Sequence, residues 1–228
     1  MNLNRRKKYL QIAFNRSLDE VEVMVSLLPP FDQIIVEAGT PFIKEYGSQG
    51  IASLVRWWNF RLGKPGYVVA DLKCMDRGAT EVTMVANAGA SAATCLGLAP
   101  VETISEFVAN CKTAGIDSMV DMVNVDFPFE ILQKIYPLPD VVVLHRGVDE
   151  GDFGERMIPY HNIQRIKGAY DVMVSVAGGE NLKEANRTFF NGADIAVVWR
   201  QFFDNPSDVN NLAQTFLSSI KGYAKRER

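Results

Sequence analysis

Residues 89–97, Gly89-Ala90-Ser91-Ala92-Ala93-Thr94-Cys95-Leu96-Gly97, and residues 115–123, Gly115-Ile116-Asp117-Ser118-Met119-Val120-Asp121-Met122-Val123, share one layout. Each begins with a glycine, takes a short polar step and enters an apolar run. Glycine there supplies the left-handed residue that ends a helix before a strand begins. The nearly continuous apolar runs suit strands covered on both faces, the mark of a parallel sheet. Between the two stretches, Ile104, Phe107, Val108 and Cys111 fall at i, i+3, i+4 and i+7, an inward helical stripe. The region reads as strand, helix, strand, with Cys111 a core residue and not a nucleophile.

The same punctuation runs along the chain. Gly63, Gly89 and Gly115 are 26 residues apart, Gly168 follows after 53 and Gly192 after 24. The double interval leaves one unit unmarked, with its turn at Pro137-Leu138-Pro139. Helix plus strand plus two short loops needs about 26 residues. Strands are predicted over Tyr9–Asn15, Gln33–Glu37, Tyr67–Lys73, Ala92–Gly97, Ser118–Val123, Val141–His145, Val172–Ala177 and Ile195–Trp199. Helix starts are marked by the capping box Ser17-Leu18-Asp19-Glu20, by Thr40-Pro41 as a cap with proline behind it, and by Asn181-Leu182-Lys183-Glu184. Eight βα units predict an α/β fold, a single-domain (β/α)8 TIM barrel over residues 9–222, with a basic N-terminal arm at 1–8 and a frayed C-terminus at 223–228. An open doubly wound sheet is the runner-up. The first strand, however, ends at Asn15-Arg16-Ser17, without the glycine-rich turn a dinucleotide requires.

Composition narrows the function. Of 228 residues, 47% are hydrophobic and 22% charged, so a sizeable core is available and disorder is excluded. With 24 basic against 27 acidic residues, the surface is too acidic for a general nucleic-acid binder. Cys74, Cys95 and Cys111 form no CxxC pair and read as reduced thiols of a cytoplasmic protein. No apolar run reaches the ~18–20 residues that cross a bilayer. Arg5-Arg6-Lys7-Lys8 is followed by a segment too soon polar for a signal peptide, which leaves a solvated arm. His161 reads as a surface residue and Trp57-Trp58 as core packing.

In a barrel, the chemistry sits at the C-terminal ends of the strands. Those positions carry Asn15, Glu37, Asp71 with Lys73, Asp121, His145 with Arg146, Gly178-Gly179 and Arg200. Ionisable groups gathered in a barrel mouth are costly unless paired or ligating. Asp71-Leu72-Lys73-Cys74-Met75-Asp76 is the sharpest feature. Asp71 and Lys73 are two apart on a strand and so face the same side. Lys73 between carboxylates stays protonated, a fixed positive charge beside reacting oxygens.

These residues, with Glu37-Ala38-Gly39-Thr40-Pro41, Val120-Asp121, His145-Arg146-Gly147 and Ala177-Gly178-Gly179, resemble the orotidine 5′-monophosphate decarboxylase suprafamily. Within it they resemble the branch of 3-hexulose-6-phosphate synthases and 3-keto-L-gulonate-6-phosphate decarboxylases. The resemblance implies a homodimeric barrel that uses Mg2+ to hold a 1,2-enediolate of a sugar phosphate. It implies Glu37 and Asp71 as metal carboxylates, Lys73 as the enediolate's stabiliser or proton donor, and His145 as proton relay. Asp76 would cross the dimer interface into the partner's site. Gly178, Gly179 and Arg200 would hold the phosphate, with Asn15 and Arg146 also at the substrate.

Asp121, Val148 and Ala177 match the synthases, which favours aldol addition of formaldehyde to ribulose 5-phosphate, or its reversal. Two positions depart from the pattern: Asn15 where the family has aspartate, and Trp199 where it has the glycine of a Gly-Arg phosphate loop. The indole either crowds the phosphate loop or turns outward into the helix layer. A divergent lyase of another enediol-forming sugar phosphate is therefore the alternative, and a non-catalytic binding barrel the third reading. The retained charges Asp71, Lys73, Asp76 and His145 argue against the third.

Overall fold

The computed structural model describes residues 1–153, 157–179, 181–204 and 208–224. Eight parallel strands close in sequence order into a barrel, which excludes the open sheet. They are β1 (Tyr9–Phe14), β2 (Ile34–Ala38), β3 (Val68–Cys74), β4 (Ala92–Leu96), β5 (Asp117–Asp121), β6 (Val141–His145), β7 (Met173–Ala177) and β8 (Ile195–Val198). All eight fall on the predicted runs, with no boundary displaced by more than two residues. The helices outside them are α1 (Leu18–Leu27), α2 (Thr40–Leu62), α3 (Gly78–Asn87), α4 (Val101–Ala114), α5 (Pro128–Leu132), α6 (Val148–Phe153), α7 (His161–Ala169), α8 (Leu182–Phe190), α9 (Arg200–Asp204) and α10 (Val209–Ala224).

The period of two along each strand sorts side chains into two layers. Leu10, Ile12 and Phe14, Ile34 and Val36, and Val174 and Val176 pack outward against the helices. Tyr9, Ile35, Val69, Met119, Val141, Met173 and Ile195 fill the interior. The inward parity continues to Gln11 on β1, Glu37 on β2, Asp71 on β3, Thr94 on β4, Asp121 on β5 and His145 on β6. A polar layer thus lies directly above an apolar plug.

Three expectations need correction. Gly168 lies inside α7, which leaves its last turn through Tyr170 in an extended conformation, so no left-handed residue is needed. The other four marked glycines do take positive φ, between 70° and 91°. The cap of α2 is Gly39, because the Thr40 hydroxyl bonds instead to Asp71. The N-terminal segment, exposed at residues 1, 2 and 4–7, is also anchored to the barrel. Leu3 is buried, the Asn2 backbone N–H donates to Asp117, and the Lys8 ammonium bonds Asp194 at 3.3 Å. Asp117 and Asp194 are buried carboxylates at the base of the barrel, and they draw these donors in.

At the other end, α10 continues to Ala224, beyond the barrel limit expected at 222, and 225–228 lie outside the described residues. Trp58 is fully buried with Trp57 packed beside the core, His161 is exposed, and all three cysteines are free and buried. Among the described residues, no helix is long and apolar enough to cross a membrane.

Candidate active site

The barrel opens at the C-terminal strand ends into a cavity of about 690 Å³. Glu37, Asp71, Lys73, Asp121 and His145 all line it, as do Asn15, Arg146 and Gly178. Asp76, Gly179 and Arg200 are not among the lining residues. Asp76 stays exposed beyond β3, where its carboxylate accepts from the Arg77 backbone N–H at 2.7 Å.

Lys73, Asp71, Asp121 and His145 form one connected network, with the Gln11–Glu37 pair beside it. The Lys73 ammonium donates to Asp71 Oδ2 at 2.7 Å and to Asp121 Oδ2 at 3.3 Å. Asp121 Oδ2 also meets His145 Nδ1 at 2.8 Å, while its Oδ1 accepts from the Val123 backbone N–H. Asp71 Oδ1 accepts from the Thr94 hydroxyl at 2.7 Å, and its Oδ2 lies 2.9 Å from the Thr40 hydroxyl. The Gln11 amide donates to Glu37 Oε2 at 2.5 Å.

Lys73 reaches this position on a distorted backbone. The β3–β4 register shifts between Ala70 and Cys74, and Lys73 has φ 48°. Such a left-handed conformation costs a non-glycine residue roughly 1–3 kcal/mol and persists where neighbours over-determine it. Thr94 is that neighbour, since its hydroxyl accepts from the Lys73 backbone N–H at 3.0 Å.

Electrostatics follow from burial and charge. Burial, reinforced by the Asp71 charge, pushes the Glu37 carboxyl up to about 7. Burial works to lower the Lys73 pKa, but Asp71 and Asp121 outweigh it and hold the ammonium above its ordinary range. Burial opposes the Asp121 charge in the same way, yet His145 and Lys73 keep that carboxyl below the ordinary range. His145 is raised, because Asp121 overcomes the desolvation of the ring. Asp121→Asn should therefore move the acid limb of the kcat/KM profile to lower pH, since the imidazole loses the anion that favours its proton. The pH–rate profile checks this; an unmoved limb would rule out His145 as the titrating relay.

Glu37 and Asp71 also suit a magnesium ion. Both are hard oxygen donors at one cavity, and the buried Gln11 Oε1 beside them has no hydrogen-bond partner. Among the described residues no group of three or more His, Cys, Asp or Glu is disposed around a metal. Mg2+ commonly binds through one or two carboxylates and completes its shell with water and substrate, so the residues present fit the ion.

At the β7 end, Gly178 has φ 93°, and a Cβ there would lie 2.2 Å from the Arg146 carbonyl oxygen. Arg146 in turn donates to the Gly178 carbonyl at 2.6 Å. On β8 the inward parity runs Ile195 and Val197; Trp199, just past the strand, is half-buried, packs against the outer, helix-facing core and also lines the cavity. The Arg200 guanidinium lies over that ring, 5.3 Å from its centroid. Gln11, Thr40, Lys44 and Thr94 complete the site and were not singled out as site residues by the sequence. Gln11 and Thr94 were legible as inward positions of their strands; attention to strand ends alone passes over them.

The mouth of this barrel thus holds a lysine ammonium between two carboxylates, one of which is also paired with an imidazole. Residues 8–215 match the orotidine 5′-phosphate decarboxylase / HUMPS family, and the chain belongs to that family. It is 37% identical over 218 residues to the bifunctional enzyme Fae/Hps of Methanocella arvoryzae, and 39% identical over 218 residues to that of Methanothrix thermoacetophila. Each match covers 93% of this chain and 53% of the relative, so the chain spans about half the length of the curated relatives it matches. Among solved structures it is similar to 3-hexulose-6-phosphate synthase from Salmonella typhimurium, with a TM-score of 0.82 and 26% identity over 94% of this chain and 99% of that one. It shares its fold with KGPDC from Streptococcus mutans, at a TM-score of 0.78 and 22% identity over 96% and 99% of the two chains.

Proposed function

We propose that the protein is a 3-hexulose-6-phosphate synthase-like aldehyde-lyase, joining formaldehyde to C1 of ribulose 5-phosphate or running the reverse cleavage. The observation that carries this reading is Lys73 bridging Asp71 and Asp121 in the mouth. Loss of a C1 proton from the substrate gives a 1,2-enediolate. Its C1 attacks the formaldehyde carbon: a carbon–carbon bond forms as the formaldehyde C=O π bond breaks, the C2 carbonyl is restored, and the formaldehyde oxygen takes up a proton. The Lys73 ammonium stabilises the negative charge that develops on the enediolate oxygens. Asp121 holds His145 by Nδ1 and leaves Nε2 to carry the proton at the reacting carbon. Glu37 and Asp71 would hold Mg2+, which supplies a Lewis acid for the substrate's oxygens. The buried free cysteines support a cytoplasmic setting.

Exchange of the C1 proton of ribulose 5-phosphate in D2O, without formaldehyde, tests the enediolate half of the reaction. Exchange that requires both Lys73 and His145 is expected; none in the wild-type protein would refute the reading. The second reading, a lyase of a different sugar phosphate, is favoured by one observation: Trp199 lines the cavity. If the ring crowds ribulose 5-phosphate, Trp199→Gly should lower its KM about tenfold, the equivalent of ~1.4 kcal/mol. An unchanged KM removes that reason for another substrate.

We further propose a homodimer in which Asp76 completes the partner's site. Its exposure beside exposed Met75, with Met84 and Leu98 exposed on the next elements, supports such a surface. Lys73→Ala and Asp76→Ala proteins, each inactive, should regain part of the activity when mixed under subunit exchange. A monomer by light scattering would contradict this.

A further inference from the structure

Three carboxylates, Glu37, Asp71 and Asp121, line the mouth, and a phosphorylated substrate adds a dianion to them. The cations facing that cavity are largely committed. Lys73 is bonded to Asp71 and Asp121, His145 to Asp121, and Arg146 to the Gly178 carbonyl. Arg200 lies over the Trp199 ring and is not among the lining residues.

Lys44 differs from all of these. Thr40 fixes the first turn of α2 to the site through Asp71, and Lys44 lies four residues on, on the same face of the helix. That face brings Lys44 to the cavity rim, where it stays exposed to solvent. Among the described residues it makes no ion pair or hydrogen bond. Asn15, a neutral residue at the end of the neighbouring strand β1, lines the same cavity. An uncommitted ammonium at the rim can meet a phosphate while it keeps part of its hydration, so it carries no burial penalty in the free protein.

We propose that Lys44 is a specificity-determining residue that holds the substrate's phosphate at the α2 side of the mouth. The proposal rests on the reading that the substrate is a sugar phosphate, and extends it to a position that neither glycine loop nor Arg200 supplies.

The test is calorimetric titration of ribulose 5-phosphate and of inorganic phosphate into wild-type, Lys44→Ala and Lys44→Arg proteins, alongside steady-state kinetics of the condensation. Lys44→Ala should raise Kd about tenfold, within the range of a charge-assisted hydrogen bond, and should flatten its salt dependence. Lys44→Arg should restore most of the affinity. KM should follow Kd while kcat at saturation stays within about twofold, a split that a merely structural role would not give. An unchanged Kd in Lys44→Ala, or a loss of kcat with Kd intact, overturns the proposal. If the wild type binds phosphate through Lys44 but forms no hexulose phosphate, the assignment of Lys44 stands and the synthase reading falls. If hexulose phosphate forms and Lys44→Ala binds as tightly as wild type, only the assignment of Lys44 falls.

Discussion

Lys73→Met is expected to lower kcat by at least about 10³-fold and to destabilise the fold by about 3 kcal/mol at pH 8. Both effects have one cause. The ammonium is the cation that separates Asp71 from Asp121, at 2.7 and 3.3 Å, with Glu37 sharing the cavity. Methionine keeps the length of the side chain and leaves three carboxylates facing one another. Acid should relieve the damage, because Glu37, raised by burial and by the Asp71 charge, then takes up its proton and one negative charge leaves the cavity. Urea unfolding at pH 8 and pH 5 reads the stability, with far-UV circular dichroism to confirm that the barrel forms. Equal stability of variant and wild type at pH 8, or a kcat within tenfold, would show that the ammonium does not hold this cluster.

Glu37→Gln has the second largest expected effect, and its sign depends on metal. In metal-free protein the folded-state pKa of Glu37 is raised from 4.5 to about 7. A raised pKa contributes stability that is fully present below the unfolded value and is lost as pH climbs through the folded one. Between pH 4.5 and about 7 the wild type therefore loses up to about 3 kcal/mol that glutamine, which does not titrate, retains. Glutamine can still receive the Gln11 amide on its carbonyl oxygen. In EDTA the variant should thus be the more stable protein at pH 8, and the gap should close toward pH 5. With Mg2+ the order reverses in function: the variant should bind the ion far more weakly and lose turnover. Thermal unfolding across pH, with and without Mg2+, checks both halves. A pH-independent difference in EDTA would show that Glu37 is not raised, and full activity in EDTA would dismiss the metal.

Much of this was legible in the sequence, for identifiable reasons. The glycine spacing and doubly covered apolar runs located all eight strands, because a barrel strand has no exposed face to interrupt its hydrophobicity. Strand ends then pointed to Glu37, Asp71, Lys73, Asp121 and His145, which one parity rule turns into one mouth. Long-range partners were not legible. The Thr94 clamp on Lys73 joins residues 21 apart through a register shift that no local pattern encodes. The N-terminal segment looked solvated because its basic residues have no local partner; Asp171 and Asp194, which receive Arg5 and Lys8, are brought beneath the barrel only when it closes. Trp199 left two orientations open, and the folded chain gives it both surroundings: it packs against the outer core and also lines the cavity.

The most direct test of the central claim is carbon NMR of the purified protein with Mg2+, ribulose 5-phosphate and 13C-formaldehyde. The label should appear at C1 of a six-carbon ketose phosphate at a rate proportional to wild-type protein, and should be absent with Lys73→Met. Formaldehyde left unincorporated while the same sample exchanges the C1 proton of ribulose 5-phosphate, or of another sugar phosphate, would contradict the synthase assignment.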